Sequence, residues 1–374
     1  MQVEALILAA GLSERMGAFK PLLPLAGPSA LERCVALFRA AGVGRVSVVC
    51  GHRGGETAAA ARAAGAAAVP NPDFAQGMYS SVRAGVAALD PASEAFFVLP
   101  VDIPLVRPAT VRRLLEAAEA AGEGGWDVFY PVFAGARGHP PLLAARLAPA
   151  VLEHSGRGGL RAVLEAREAA ARDLAVADAG VLRDMDRSED YAAMAERAAR
   201  LEIPTDEEIA ALWDLAGTLQ ETRDHCRAVA RAAAGLGAAL ERAGQPVDGD
   251  LARAAALLHD LAKGQRRHEE AGARFLERHG LAALAPSVAG HRDLALGPGE
   301  PFTAREVVFL ADKLVRGVES VPLEQRYREK MDQWAHDPAV QAEISGRLDR
   351  ARDVAARFAA LAGAPAERAA WEEP

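Results

Sequence analysis

Cysteine is scarce in this chain: Cys34, Cys50 and Cys226 are the only three among 374 residues. No two of them form a C-x-x-C pair, so neither a disulfide framework nor a zinc ribbon follows. Aromatic residues are thin too, at 5% within a hydrophobic share of 51%. The cores must therefore be built from alanine and other small side chains spread over many helices. No apolar run approaches the roughly 18 residues of a membrane span. The opening "MQVEALILAAGLSERMG" has too short an apolar segment, and no basic start, for a secretory signal. A cytoplasmic location and no membrane partner are expected. Positive charge is in deficit, with 43 Lys and Arg against 51 Asp and Glu and a net charge of −8. That excludes broad binding of polymeric nucleic acid but leaves room for a local basic pocket around one phosphorylated ligand.

The familiar phosphate loops are missing as well. In "LAAGLSERMGAFKPLLPL" (Leu8–Leu25), Gly11 and Gly17 are too far apart for G-x-G-x-x-G, and Lys20 precedes Pro21 rather than the Ser or Thr of a Walker loop. What is present in the first half is alternation. Short apolar runs "VEALILAA", "RVSVVC" and "AFFVLPV" read as strands, and "SALERCVALFRAAG", "SSVRAGVAAL" and "ATVRRLLEAAEAAG" read as helices. This pattern predicts an α/β domain with a parallel sheet covered by helices on both faces. Ligands of such sheets bind at the carboxyl ends of the strands, where the Ala9–Gly11 turn and "PVDIPL" both fall. From about Ile203 the texture is helical without a convincing strand, and Thr205 with Glu208 makes a capping box for the first helix of an all-α domain. The expected domains are residues 1–198 and 203–374.

Small Ala9, Ala10 and Gly11 allow backbone N–H groups close to a nucleotide, and Arg15 and Lys20 add cationic donors for phosphate. By itself such a loop also reads as a strand–helix connection with solvated charges. Asp102 ends a strand where a carboxylate can hold Mg²⁺ against phosphates, although a strand-end Asp is also a common turn residue. A second acidic element, "RDMDRSEDY", closes the α/β half.

Four segments, "LAAGLSERMGAFKPLLPL", "NPDFAQGMYSSVRAG", "PVDIPLV" and "ARGHPPLL", resemble the molybdenum-cofactor nucleotidyltransferase (MobA-like) family over most of residues 1–195. The resemblance implies a Rossmann-like three-layer α/β/α domain. It places the nucleotide on Ala9, Ala10 and Gly11, with Arg15 and Lys20 on its phosphates as catalytic residues. Asp102 and Asp186 would hold Mg²⁺, and Gly77, Met78, Ser80 and Ser81 would line the nucleotide pocket at a helix start. His139 in "GHPP" would face the acceptor, and it also reads as a packed turn histidine. LAAG is the form of the cytidylyl-transferring branch, so CTP is the favoured NTP and molybdopterin the implied acceptor. The chain departs from the family pattern at Arg157 in "GRGGLR" and at Arg187 and Ser188 in "DMDRSED". Both departures lie toward the acceptor side or the closing segment, so a sugar- or lipid-phosphate acceptor, or a carrier that holds a pterin nucleotide without turnover, remain alternatives.

In the helical half, "LARAAALLHDLAK" forms an apolar face at Leu251, Ala254, Ala255, Leu258 and Leu261. His259 and Asp260 on that helix would point about 100° apart and share an ion only with ligands from other helices. His225 and Asp312 are the candidates. The set resembles the HD-domain metal phosphohydrolases over about residues 205–320, which implies one or two metal ions at His225, His259, Asp260 and Asp312. His268 and His291 would be the extra ligands of a dinuclear site, whereas His279 reads as a surface residue. Imidazole with carboxylate suits Mn, Fe, Co, Ni or Zn. Lys263 is a candidate to neutralise a substrate phosphate, with a dipole-stabilised helix-end lysine as the alternative. The expected function is bifunctional: nucleotidyl transfer to a phosphorylated acceptor, and hydrolysis of a nucleotide or related phosphate ester.

Overall fold

The computed structural model describes residues 1–13, 16–122, 124–297 and 300–372. The chain divides into two compact units, Met1–Leu201 and Glu202–Pro374.

In the first unit, β1 (Val3–Ala9) is buried at all seven positions. It lies between β2 (Arg45–Cys50) and β4 (Ala95–Pro100), parallel to both. β3 (Ala67–Pro70) extends the sheet beyond β2, also in parallel. Side chains alternate across a strand, and here the two faces meet different helices. Leu6, Leu8 and Phe96 join a core with Val82 and Val86 of one helix. Phe97 turns the other way, its ring 5.4 Å from that of Phe38. The helices are α1 (Ala30–Ala40), α2 (Gly54–Ala63), α3 (Met78–Ala87), α4 (Pro108–Ala121), α5 (Ala148–Glu153), α6 (Gly159–Glu165) and α7 (Ser188–Ala199).

The sheet is mixed rather than wholly parallel. Beyond β4 lies β7 (Leu142–Ala144), antiparallel to both β4 and β5 (Val128–Phe133). β6 (Ala136–Arg137) hairpins back on β5, and β8 (Ala171–Ala175) runs parallel along its other edge. The hairpin turns through Ala134 and Gly135, both at positive φ, which suits the right-handed twist of the flanking strands.

The second unit is helical: α8 (Asp206–Ala216), α9 (Gln220–Arg242), α10 (Gly249–Leu258), α11 (His268–Arg278), α12 (Ala285–Gly290), α13 (Ala304–Lys313), α14 (Leu323–Gln333), α15 (Pro338–Ala362) and α16 (Ala366–Ala369). The Thr205–Glu208 capping box starts α8, with Thr205 N donating to Glu208 Oε2 at 2.9 Å. Small residues set the packing distance: a Cβ on Gly235 of α9 would sit 2.6 Å from the Ala369 carbonyl. Two short strands depart from the all-helical expectation. β9 (Val315–Arg316) and β10 (Glu319–Ser320) form a hairpin across Gly317, whose φ is +61°. No described helix is long and apolar enough to cross a membrane.

Candidate functional site

The first site lies at the carboxyl ends of β1 and β4. Pro21 starts a short 3₁₀ turn, Lys20–Leu22, that tucks Lys20 inward until it is buried. The Lys20 Nζ donates to Asp102 Oδ2 at 3.2 Å and to Asp186 Oδ1 at 2.7 Å. Burial works against its ammonium, but the hydrogen bonds and charges of Asp186 and Asp102 outweigh it and raise the Lys20 pKa. Asp184 joins the same acidic group: partial burial and the charges of Asp186 and Asp102 push its carboxyl upward. Three carboxylates around one lysine leave negative charge in surplus, which fits a divalent cation held by Asp102 and Asp186.

A cleft of about 320 Å³ opens beside this group, and Ala10, Gly11, Gly77, Met78 and Ser81 line it together with Lys20 and Asp102. Gly77, at φ +97°, gives α3 no side-chain cap, so the start of the helix faces the cleft without one. Ala9 is buried behind the lining, at the last position of β1. Ser80 falls outside the cleft. Its Oγ donates to the Gly77 carbonyl at 2.8 Å and accepts from Asn71 Nδ2 at 2.9 Å, and Asn71 also donates to Ser81 Oγ at 3.0 Å. Arg15 lies outside the described residues. His139 is half-buried, and its N–H donates to the Val181 carbonyl at 2.8 Å. Burial pushes its imidazole pKa down, opposed by the charges of Asp102 and Asp184, so it stands within electrostatic reach of the acidic group.

Sequence reasoning missed Asn71, Phe74 and Asp184. The only available signal for Asp184 was its place two residues before Asp186, where extended backbone points side chains the same way. It also missed the brace under the "VDIPLVR" loop. Asp178 accepts from the Arg107 N–H at 2.8 Å, from Thr110 Oγ1 at 2.6 Å and from the Gly180 N–H at 3.1 Å, and Arg107 Nη1 lies 3.4 Å from Asp178 Oδ1. Both side chains are buried. Asp178→Ala would remove one acceptor shared by Arg107, Thr110 and Gly180 and take a carboxylate from beside the buried guanidinium, so a loss of about 3–5 kcal/mol of unfolding free energy is expected, readable by urea denaturation.

The second site gathers residues from five places in the helical unit. His225 comes from α9 and Asp312 from α13; His268 opens α11 and His291 follows α12. α10 ends at Leu258, so His259 and Asp260 sit in the turn after it rather than on the helix. That turn closes with the Lys263 N–H on the Asp260 carbonyl at 2.9 Å and leaves through Gly264 at φ +97°. Freed from helical spacing, both side chains face one cluster. His259 Nε2 stands 3.7 Å from Asp260 Oδ2 and 3.8 Å from Asp312 Oδ1, and His225 Nε2 is 3.3 Å from Asp312 Oδ1. The other Asp260 oxygen, Oδ1, is 3.2 Å from His268 Nε2 and 3.4 Å from His291 Nε2.

Three imidazoles are held from behind. Nδ1 of His225 meets the Gly317 carbonyl at 2.8 Å, that of His259 the Ala256 carbonyl at 2.8 Å, and that of His291 the Val288 carbonyl at 2.6 Å. A carbonyl oxygen only accepts, so Nδ1 carries the proton and the Nε2 lone pair turns into the cluster. His259 Nε2 is buried and has no hydrogen-bond partner. Burial pushes its pKa down to about 4, against the charge of Asp260, so it stays neutral. A neutral imidazole lone pair facing carboxylate oxygens is an arrangement that a cation completes. In two triads, His225–His259–Asp260 and Asp260–His268–His291, the ligand atoms all lie within 4.8 Å of one another, and Asp260 belongs to both.

Lys263 donates to Asp260 Oδ2 at 2.7 Å, while Lys313, buried, donates to Asp312 Oδ2 and to the His291 carbonyl, each at 2.8 Å. Burial alone would raise Asp260, yet hydrogen bonds from His268 and Lys263 hold its carboxyl far below the usual range. His279 is half-buried rather than a surface residue, its ring stacked on Phe275 at 4.2 Å with Nδ1 on the Phe275 carbonyl at 2.7 Å.

Residues 5–172 match the MobA-like NTP transferase domain family, and residues 222–317 match the HD domain family. Among curated proteins, the "Bifunctional IPC transferase and DIPP synthase" of Rubrobacter xylanophilus is 44% identical over 119 residues, 30% of this chain and 26% of that protein. The "Bifunctional protein GlmU" of Burkholderia thailandensis is 40% identical over 125 residues, 32% of this chain and 26% of that protein. The chain thus spans about a quarter of the length of these relatives. Among solved structures, Rv0371c from Mycobacterium tuberculosis H37Rv is 28% identical with a TM-score of 0.45, covering 52% of this chain and 97% of that one. The chain carries a MobA-like NTP transferase domain followed by an HD domain.

Proposed function

We propose that the N-terminal unit transfers a nucleotidyl group from an NTP, with CTP favoured, to a phosphorylated acceptor such as molybdopterin. The observation that carries this is the meeting of Lys20 with Asp102 and Asp186 at the strand ends, beside the cleft lined by Ala10, Gly11 and Ser81. An acceptor phosphate oxygen attacks the α-phosphorus, the bond to the β-phosphate oxygen breaks, and pyrophosphate leaves with the electron pair. A phosphate dianion needs no base, so positioning and charge neutralisation supply the catalysis. Lys20 would meet the leaving pyrophosphate, and the small residues after β1 admit the triphosphate against the backbone. Mg²⁺ on Asp102 and Asp186 would supply further positive charge when bound. A sugar- or lipid-phosphate acceptor is the second reading, favoured by Arg157 and Arg187, which replace other residues of the family pattern in segments read as the acceptor side or the closing segment.

The C-terminal unit is read as a phosphohydrolase of a nucleotide or related phosphate ester. A transition-metal ion, or two, held by the six imidazole and carboxylate ligands would acidify water and polarise the phosphate. Lys263 reaches this site from the turn after α10 and would neutralise a phosphate oxygen.

The test is pyrophosphate release with each of the four NTPs, offered molybdopterin or sugar phosphates. CTP with molybdopterin is expected to give the highest rate. A higher rate with a sugar phosphate would move the acceptor to the second reading, and no release with any pair would make the unit a carrier.

A further inference from the structure

The cleft that opens on the histidine–aspartate cluster continues past it, with a volume of about 670 Å³. Of its described lining residues, seven are Lys or Arg and four are Asp or Glu. Four of the cations have carboxylate partners at close range: Lys263 with Asp260, Lys313 with Asp312, Arg316 with Glu329, and Arg347 with Glu343. Arg326, Arg347 and Lys330 nonetheless keep donors to spare. Arg326 reaches Asp312 through Nη2 at 3.4 Å, while its Nη1 is buried without a hydrogen-bond partner. The Nε of Arg347 is likewise buried without one, 3.8 Å from Asp293. Lys330 has no carboxylate partner among the described residues, and its ammonium lies 6.0 Å from the Tyr327 ring.

Arg326 and Lys330 are one turn apart on α14, where like charges repel. Partial burial, and then the charges of Arg326 and Lys313, push Lys330 down to about 8, although the residue as a whole is exposed. It remains mostly charged at neutral pH. Buried guanidinium donors left without acceptors cost free energy, and an anion entering the cleft would satisfy them together. All three residues lie beyond the 222–317 match to the HD family.

We propose that Arg326, Lys330 and Arg347 form a second phosphate subsite beside the histidine–aspartate cluster, so that the C-terminal unit takes substrates with two linked phosphoryl groups. Arg326 itself touches Asp312, which puts the subsite one side chain away from the cluster and suits a diphosphate rather than a simple monoester. This rests on the reading of the cluster as a phosphohydrolase centre.

Calorimetric titration of the full chain with inorganic pyrophosphate and with orthophosphate, each in a fixed excess of Mn²⁺, tests it. A Lys20→Ala background weakens pyrophosphate binding in the N-terminal cleft. Pyrophosphate is expected to bind about tenfold or more tighter than orthophosphate, and Lys330→Ala to erase about tenfold of that preference. Orthophosphate affinity should be unchanged in Lys330→Ala, whose solvent-reaching side chain makes a benign truncation. Arg326→Lys should also reduce the preference, because one ammonium cannot replace two guanidinium contacts. Equal affinity for the two anions, or a preference surviving both substitutions, overturns the subsite. Orthophosphate binding indifferent to His259→Ala would instead count against the hydrolase reading, and a Lys330-dependent preference would still stand.

Discussion

Lys20→Ala is expected to lower pyrophosphate release by roughly 10³-fold or more while leaving phosphate-ester hydrolysis by the C-terminal unit unchanged. The size follows from where the ammonium stands. It is hydrogen-bonded to both Asp102 and Asp186, which fixes it where a leaving pyrophosphate would gather charge. Lys20→Met keeps much of the volume and should be as inactive, which separates charge from packing. The substitution also leaves Asp102, Asp184 and Asp186 facing one another, so the variant should bind Mg²⁺ more tightly than wild type. Saturating Mg²⁺ should therefore recover stability in urea without recovering turnover. Asp102→Ala is expected to stop transfer too, but with weaker Mg²⁺ binding. Transfer in Lys20→Ala within tenfold of wild type would remove Lys20 from the chemistry.

The central strands were legible because burial on both faces demands continuous apolar runs: "VEALILA" and "AFFVLP" can hardly be anything else in an alternating chain. The far side of the sheet was not. β8 reads "ARDLA", with polar side chains on an exposed edge. β7 is three residues long, and β5 carries Pro131, which argues against a strand. Antiparallel pairing of β7 is set by tertiary placement, which no local pattern reveals. The histidine–aspartate set was legible as a set, through the resemblance of His225, His259-Asp260 and Asp312 to the HD-domain metal phosphohydrolases, whereas any one of these histidines alone reads as an ordinary surface or core residue.

What the sequence concealed was geometry. His259 and Asp260 looked divergent as helical neighbours, and they converge because α10 stops at Leu258 and a turn follows. Arg326 and Lys330 carry no local motif that singles them out. They acquire meaning only when α14 and α15 place them over a cleft whose floor is Asp312.

The two oxygens of Asp260 lead to an expected stoichiometry. Oδ2 faces His259 and Oδ1 faces His268 and His291, so one carboxylate serves both ligand triads. Metal analysis after saturation with Mn²⁺ and desalting should give two ions per chain for wild type in the histidine–aspartate cluster. His268→Ala should retain one, because the His225–His259–Asp260 triad is intact. Asp260→Ala should retain none, and its phosphate-ester hydrolysis should fall by roughly 10³-fold or more, since a bound ion is what makes water a competent nucleophile at neutral pH. His259→Ala should lose the ion of the first triad and hydrolysis with it, while pyrophosphate release by the N-terminal unit stays at the wild-type rate. The substitution also removes a buried Nε2 that has no protein partner, so apo His259→Ala should be destabilised less than a buried imidazole deletion normally is, and the Mn²⁺-dependent stabilisation of the wild type should be absent from it. Equal metal content in wild type, His268→Ala and Asp260→Ala would mean that Asp260 does not bridge, and the bound ions would then have to sit on other carboxylates.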